Sequence, residues 1–300
     1  MNAFAAFVMR GPAHAGAVAT AGLLAGLVVP PFAWLSSVVL ALVALRLGAA
    51  ALLRVALPSL AAVALAGWIV WDRPGALFLA GLAAWVPVVI VALVLRWRVR
   101  LDDALLAACA LGWVVVLAVR LAVADPVAAW HGLLLEAFPP ERLAADMQVS
   151  AEALRQVIER MAPLMTGVLA ASVVFGTITG LLLARWWQAV LYNPGGFQRE
   201  FHALRLGRVA AAVTAVVCAG AIASGVALLE ALALTLVALY VFQGLAVVHG
   251  VVAARGMATG WLTGLYLLGI ILPPQVMTGL TLVGIVDAWA DFRRGAAAQS

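Results

Sequence analysis

A few ionisable or strongly polar side chains stand inside or beside long apolar runs of this sequence, and they are the first candidates for chemistry. They include Gln243, His249, Asp287 and Asp291. Inserting an ionisable group into hydrocarbon costs roughly 2.5–3.5 kcal/mol, so such a group is by default a hypothesis of function. Asp287 and Asp291 stand four residues apart, which predicts one acidic helix face beside Arg293 and Arg294. The same spacing is also typical of a helix end closed by local ion pairs.

These polar groups are not accompanied by a catalytic or metal-binding pattern. The histidines are scattered, the two cysteines lie in separate apolar runs, and neither HExxH, CxxC nor a phosphate-binding glycine loop with lysine occurs. We therefore predict no enzyme activity, no metal site and no cofactor. An intramembrane enzyme acting on lipid would need a catalytic pair that the sequence does not show.

Residues 184–208, ARWWQAVLYNPGGFQREFHALRLGR, form a polar, aromatic and basic stretch between two apolar runs. Pro194 and the glycines after it break any helix, so we predict two short amphipathic pieces lying in the membrane interface. The turn could also offer backbone N–H groups to a phosphate, although a plain interfacial turn is the simpler interpretation. The candidate partner interface comprises Trp186, Trp187, Tyr192, Asn193, Pro194, Gly195, Gly196, Phe197 and Phe201.

Two ladders of small residues recur at helical spacing. The first comprises Ala13, Ala17, Ala21 and Ala25, and the second comprises Ser172, Gly176, Gly180 and Ala184. Small residues let helices approach closely in a membrane, where van der Waals packing rather than the hydrophobic effect holds them together. Each ladder predicts either packing within the chain or docking of a partner helix.

The elements that must position these residues are membrane-spanning helices. The chain is 66% hydrophobic and 10% charged, with a mean hydropathy of +1.14, and apolar runs of about 20 residues recur throughout. We predict an all-α, polytopic transmembrane bundle forming one integral domain over residues 1–300. It would have 8–10 membrane segments, depending on whether the short hairpins at Pro30-Pro31 and Pro273-Pro274 cross fully.

The two proline hairpins resemble each other in sequence, as the inverted repeats of transporters do, although such pairs also arise by chance. Between them, residues 124–160 predict a partly helical loop outside the membrane, with Ser150 as a helix N-cap. Residues 184–208 predict an amphipathic loop on the other side.

The arginines predict the orientation. If the N-terminus is cytoplasmic and every run crosses, 13 of the 18 basic residues lie inside and Arg120 is ambiguous. The four outside are Arg73, Arg142, Arg155 and Arg160. This bias predicts cytoplasmic N- and C-termini and explains the basic charge without nucleic-acid binding.

The aromatic stretch, together with the terminal GIVDAWADFRR, resembles the YybS-like family of bacterial membrane proteins. The residues that carry the resemblance are Trp187, Gln188, residues 192–197, Glu200, Phe201, Gly284, Asp287, Asp291, Phe292 and Arg293. That family is distantly grouped with the substrate-binding S components of energy-coupling-factor vitamin transporters. Those components are compact helical proteins that dock onto a transmembrane coupling subunit through small residues on an early helix, a role that the ladder from Ala13 to Ala25 would fit.

These features predict a multi-pass protein of the bacterial inner membrane with a transporter-like core. It would bind a small solute or lipid-like molecule between helices and depend on a membrane or cytoplasmic protein partner. The alternative is a non-transporting scaffold or envelope-assembly factor, in which residues 184–208 recruit a cytoplasmic partner.

Overall fold

The computed structural model describes residues 2–293, and this part of the chain is helical with no strand. The predicted all-α bundle is therefore confirmed. In chain order the helices are α1 (Asn2–Val8), α2 (Pro12–Ala25), α3 (Pro31–Leu47), α4 (Ala49–Trp71), α5 (Pro74–Arg98), α6 (Leu101–Ala122), α7 (Pro126–Ala137), α8 (Pro140–Met147), α9 (Ala151–Met161), a 3₁₀ turn (Ala162–Leu164), α10 (Met165–Tyr192), α11 (Gly196–His202), α12 (Gly207–Ser224), α13 (Ala227–Ala254), α14 (Gly260–Ile271) and α15 (Pro273–Ala290).

Six of the described helical segments are long and apolar enough to cross a membrane. They are α4, α5, α6, α10 with the helix that precedes it, α12 and α13. Helices α3 and α14 are apolar but shorter. A helix satisfies its own backbone hydrogen bonds, which is why a chain of this composition forms helices rather than loops in hydrocarbon. The protein is thus an integral, multi-pass membrane protein.

Helices α3 and α13 lie at the centre of the two halves of the bundle. Every residue from 36 to 45 of α3 is buried, packed among α2, α4, α5 and α10. Helix α13 is packed among α6, α10, α12 and α15. Tryptophan N–H groups cross-link the first half: Trp85 donates to the Ser36 hydroxyl at 2.7 Å, and Trp34 donates to the Gly176 carbonyl at 3.0 Å.

One end of the bundle collects arginines from distant parts of the chain, and we call it the arginine-rich end. Arg46 lies over the Tyr192 ring at 4.0 Å, and Arg96 donates to the Leu45 carbonyl at 2.7 Å, at the end of α3. The N-terminal helix reaches the same end, where Phe4 packs edge-on against Trp187. Asp291 and Arg293, which follow α15, reach it as well.

Both proline turns lie at the opposite end. Pro30 and Pro31 begin α3, whose other end carries Arg46, and Pro273 begins α15, whose other end carries Asp291. The first hairpin extends as far as the α4–α5 turn, since Leu27 and Arg73 line one surface pocket. The two hairpins therefore point the same way, and the inverted-repeat interpretation is wrong, because inversion would place their turns at opposite ends.

Residues 124–160 form α7, α8 and most of α9 at the end of the bundle opposite the arginines. Trp130 of α7 donates to the Thr166 hydroxyl at 3.0 Å, which ties these helices to the start of α10. The predicted N-cap is confirmed: the Ser150 hydroxyl accepts from the Ala153 N–H at 3.1 Å. Arg155 and Glu141 form an exposed ion pair between α8 and α9.

Candidate functional site

The turn that follows α10 is folded back onto the bundle and held by paired charges. Arg185 Nε donates to a carboxylate oxygen of Glu200 at 2.8 Å, and Arg185 Nη1 donates to Gln188 Oε1 at 2.9 Å. Arg205 Nη1 donates to Asp291 at 2.9 Å on the far side of the segment. A planar guanidinium can hold a carboxylate through two parallel bonds, so these pairs fix orientation as well as distance.

Local sequence explains where this turn begins. Helix α10 ends at Tyr192, Pro194 cannot supply a backbone N–H, and Gly195 has a φ of 78°, which favours glycine. The first predicted amphipathic piece is not a separate element, because α10 continues through it as one helix. Only α11 is a short piece of its own.

The candidate partner interface is divided between the core and the surface. Trp187 is 4% exposed and Gly196 is buried, while Trp186, Phe197 and Phe201 are half-buried against the bundle. The residues that remain exposed are Tyr192, Asn193, Pro194 and Gly195. A partner approaching from this end would therefore meet the turn and Tyr192 rather than the tryptophan and phenylalanine rings.

Asp287 is the most deeply buried of the predicted ionisable residues. It is 3% exposed, and its Oδ2 accepts from Arg293 Nη2 at 2.6 Å. Its Oδ1 accepts from the Phe292 N–H at 3.1 Å. Gln243 donates weakly to Asp287 at 3.4 Å and accepts from the Leu206 N–H at 3.2 Å. The carboxylate is thus satisfied by its own chain.

Arg293 extends this set to the loop after α11. Its Nη1 donates to the carbonyls of His202 and Leu204, each at 2.8 Å. The single acidic face predicted for Asp287 and Asp291 does not form, because α15 ends at Ala290 and Asp291 takes a left-handed conformation with a φ of 47°. Arg294, also predicted beside them, lies outside the described residues. This buried set fastens α13, α15 and the loop together.

A cavity of about 520 Å³ lies between α10, α11, α13 and α14, and we call it the histidine cavity. His249 Nε2 and the Tyr266 hydroxyl are 2.9 Å apart, and the His202 ring lies 6.2 Å from the His249 ring. The lining of the histidine cavity comprises Leu182, Trp186, Ala189, Val190, Gly195, Phe197, Gln198, Phe201, His202, Phe242, Leu245, His249 and Tyr266. Hydrogen-bonding groups thus meet aromatic walls at the arginine-rich end.

His202 is the histidine of this cavity that lies outside the membrane-spanning helices. Partial burial lowers the pKa of its imidazole, since desolvation disfavours the charged form, and the nearby Arg293 charge lowers that pKa further. Both effects favour a neutral ring at physiological pH.

A larger, apolar cleft of about 910 Å³ lies between α13 and α14, and we call it the α13–α14 cleft. Its lining comprises Val247, Val248, Val251, Val252, Arg255, Met257, Ala258, Gly260, Trp261, Gly264, Leu265, Leu268, Val283 and Phe292. Arg255 is exposed just beyond the end of α13 and forms no ion pair within residues 2–293. The cleft therefore combines apolar walls with one positive charge.

The two small-residue ladders differ in burial: the first is exposed along its whole length, whereas the second becomes buried towards its end. Ala13, Ala17, Ala21 and Ala25 are all exposed on α2, whose buried face is formed by Ala15, Ala19 and Leu23. The second ladder is exposed at Ser172 but meets the bundle further along α10. There, a Cβ on Gly180 would lie 3.3 Å from Val88 and 3.4 Å from Trp34.

Comparison of the chain with protein-family models, with curated proteins and with solved structures found no match.

Sequence reasoning identified His249 but missed Tyr266, His202 and Arg255 as members of cavities. Tyr266 carried a usable signal, since it is one of three tyrosines and sits in an otherwise apolar run. A phenol hydroxyl in an apolar run is expected to find a hydrogen-bond partner. No pattern in the sequence indicated that α14 would stand apart from α13 and leave a cleft.

Proposed function

We propose that the protein binds an anionic, lipid-like amphiphile in the α13–α14 cleft, within the inner membrane of a bacterium. The observation that carries this proposal is the pairing of a large apolar cleft with Arg255, which has no ion-pair partner in the described chain. The excess of arginines at one end favours a cytoplasmic location for that end, by the positive-inside rule. The headgroup would then lie at the cytoplasmic surface.

The walls of the cleft favour an apolar tail over a sugar-like or vitamin-like solute. Apart from Arg255 and the indole N–H of Trp261, its lining side chains carry no hydrogen-bonding group. A solute with many polar groups would leave them unpaired, at a cost of about 1–3 kcal/mol for each. The volume lies within the roughly 300–1,000 Å³ typical of ligand sites.

Helix α14 forms the outer wall of the cleft and is held less firmly than its neighbours. It is only 12 residues long, about 18 Å, against a hydrocarbon thickness of about 30 Å. Within the described chain, its side-chain hydrogen bond to α13 is the contact between Tyr266 and His249. An amphiphile could therefore enter sideways from the lipid past this helix.

Filling the cleft tests the proposal directly. A Cβ on Gly264 meets no atom within 4 Å, so Gly264→Leu would occupy the cleft without displacing the backbone. Gly279→Leu on α15 is the matched control, because Gly279 has equally open space but does not line the cleft. After purification in lipid nanodiscs, mass spectrometry of bound lipids should find an anionic amphiphile on the wild type and the control, and its loss from Gly264→Leu. Equal retention by all three proteins would overturn the proposal.

The charge of the headgroup is tested by Arg255→Gln. This variant should retain less of the anionic species relative to zwitterionic lipid, since an exposed charge–charge contact contributes at most about 1 kcal/mol, or roughly fivefold. An unchanged lipid profile would show that Arg255 does not select an anionic headgroup, and only the apolar cleft would remain of the proposal.

The second candidate, a scaffold that recruits another membrane protein, is favoured by the exposed alanine ladder of α2. Crosslinking in cells from Ala17→Cys, on the exposed face, should yield a protein adduct if this face docks a partner helix. Ala19→Cys, on the buried face of the same helix, should yield none. A partner at the cytoplasmic turn would instead be captured from Tyr192, which is exposed, whereas Trp187 is not. An adduct that is independent of bound amphiphile would favour the scaffold.

A further inference from the structure

The histidine cavity and the α13–α14 cleft share no lining residue, and the proposed amphiphile does not use the histidine cavity. We infer that this cavity is a second binding site, and that it takes the headgroup of a quinone, a planar uncharged ring bearing carbonyl oxygens. The inference does not depend on the proposed function. It rests on the shape of the cavity, on the absence of charged side chains from its lining, and on the hydrogen-bond donors that it offers.

Aromatic rings form the walls of the cavity. Phe201 meets His249 edge to face with ring centroids 5.8 Å apart, and Phe197 stacks on Phe201 at 5.8 Å. Trp186 and Phe242 contribute further ring surface from α10 and α13. Such walls favour a flat ring, which can stack on one aromatic side chain while its edge meets another.

The charges around the cavity favour an uncharged ligand. None of its lining residues is an acid or an arginine. Arg293 is paired with Asp287 and Arg185 with Glu200, and Arg199 of α11 is exposed and is not part of the lining. A cation would therefore meet no carboxylate in the lining and an anion no guanidinium, which leaves neutral hydrogen-bonding groups as the best match.

The hydrogen-bonding groups of the cavity favour a carbonyl oxygen. A neutral histidine and a tyrosine carry one N–H and one O–H between them, and the bond between His249 and Tyr266 uses one of the two protons. If the phenol donates, His249 Nδ1–H remains; if His249 Nε2–H donates, the phenol O–H remains. Either arrangement leaves one donor, and the neutral His202 ring supplies another. Quinone carbonyls are acceptors that suit such donors.

The position of the cavity suits a ligand that arrives through the membrane. Tyr266 lies on α14 and is 50% exposed, while Gly195 and Gln198 of the cavity rim are exposed at the arginine-rich end. The cavity thus borders both the lipid side of α14 and the interfacial turn. A quinone ring could reach it from the bilayer without crossing the bundle.

The test is saturable binding of radiolabelled duroquinone to the protein in nanodiscs, with protein-free nanodiscs subtracted. Every ring position of duroquinone is substituted, so it does not add readily to cysteine thiols. Unlabelled duroquinone should compete, whereas durene, the same tetramethyl ring without carbonyls, should not. His202→Phe and His249→Phe should each weaken binding by about fivefold to tenfold, because each removes a hydrogen-bonding group and keeps a flat ring. His131→Phe, on α7 at the other end, should bind like the wild type.

Several outcomes would overturn the inference. They are the absence of saturable binding, competition by durene as strong as by duroquinone, displacement by choline as expected for an aromatic cage that binds cations, and unchanged binding by both His202→Phe and His249→Phe. If a histidine variant fails to fold, competition on the wild type still decides. Gly264→Leu should keep full duroquinone binding, so failure of the amphiphile proposal and failure of this one are distinguishable.

Discussion

At the scale of single residues, burial distinguishes carboxylates that look alike in sequence. Asp287 is buried and paired with Arg293, whose side chain is 8% exposed, while Asp291 pairs with the more exposed Arg205. An ion pair removed from water is sensitive to loss of either partner, because the remaining charge is buried without compensation. The four-residue spacing of the two acids did not indicate that one is buried and the other is not.

Asp287→Asn should therefore destabilise the protein by about 3 kcal/mol or more, since it leaves Arg293 uncompensated. Asp291→Asn is the matched control and should cost at most about 1 kcal/mol. Graded SDS unfolding in mixed micelles measures both. Equal costs for the two variants would show that the pair with Arg293 is not the stabilising feature.

His202 gives the fold a dependence on pH. Burial lowers the pKa of His202 in the folded state below its ordinary value of 6.5, so the unfolded chain binds the proton more tightly. The contribution of the neutral His202 ring to the free energy of unfolding is complete above pH 6.5. It is lost as the pH falls from 6.5 through the folded-state pKa of His202.

Acidification from about pH 7.5 to 5.5 should thus lower the unfolding temperature of the wild type more than that of His202→Asn, which cannot titrate. Thermal unfolding in detergent at the two pH values measures the difference. An identical pH dependence in both proteins would contradict a role for this imidazole.

At the scale of helices, the second half of the bundle depends on a close crossing of α13 and α15. The two helices run parallel: Thr281 donates to the Val237 carbonyl, and Asp287 lies beside Gln243 further along both. A Cβ on Gly284 would lie 2.7 Å from the Tyr240 carbonyl oxygen and 2.8 Å from the Gly244 nitrogen. Neither backbone atom can move alone, so the helices touch only because glycine is present.

Gly284→Ala should consequently destabilise the bundle by about 1–3 kcal/mol, the cost typical of overpacking. Gly279→Ala, earlier on the same helix but with open space around it, should be neutral or stabilise by up to about 1 kcal/mol. The same SDS titration compares them. A neutral Gly284→Ala would mean that α13 and α15 separate readily.

At the scale of the whole molecule, the two ends differ in kind. One is the arginine-rich end, with both cavities and the ion pairs of Arg185 and Arg205, while the other carries the proline turns and helices α7–α9. Contacts such as Arg46 with Tyr192 and Arg205 with Asp291 join residues far apart in the chain. The arrangement agrees with a positive-inside orientation in which the N-terminus and the residue 184–208 segment share one side.

Cysteine labelling with a membrane-impermeant maleimide tests this arrangement. Val28→Cys, at the proline-turn end and 85% exposed, should label in cells with a permeabilised outer membrane and an intact inner membrane. Asn193→Cys should label only after the inner membrane is opened. Native Cys109 and Cys218 are replaced by alanine in both variants. The opposite pattern of labelling would show that the molecule has the reverse orientation, with both cavities on the outer side of the inner membrane.

The sequence by itself determined that this protein is a helical membrane bundle. Residues 49–71, for example, are an apolar run of spanning length, with one arginine near its start, and they form α4. This succeeds because hydrocarbon demands an uninterrupted apolar run with every backbone group bonded internally, a requirement that one stretch of chain meets alone. The tertiary structure alone decided that Tyr266 meets His249, that Asp287 is buried while Asp291 is not, and that α14 stands away from α13. Those outcomes depend on which helix faces meet, and in a chain apolar on nearly every face, periodicity does not specify the partner of each face.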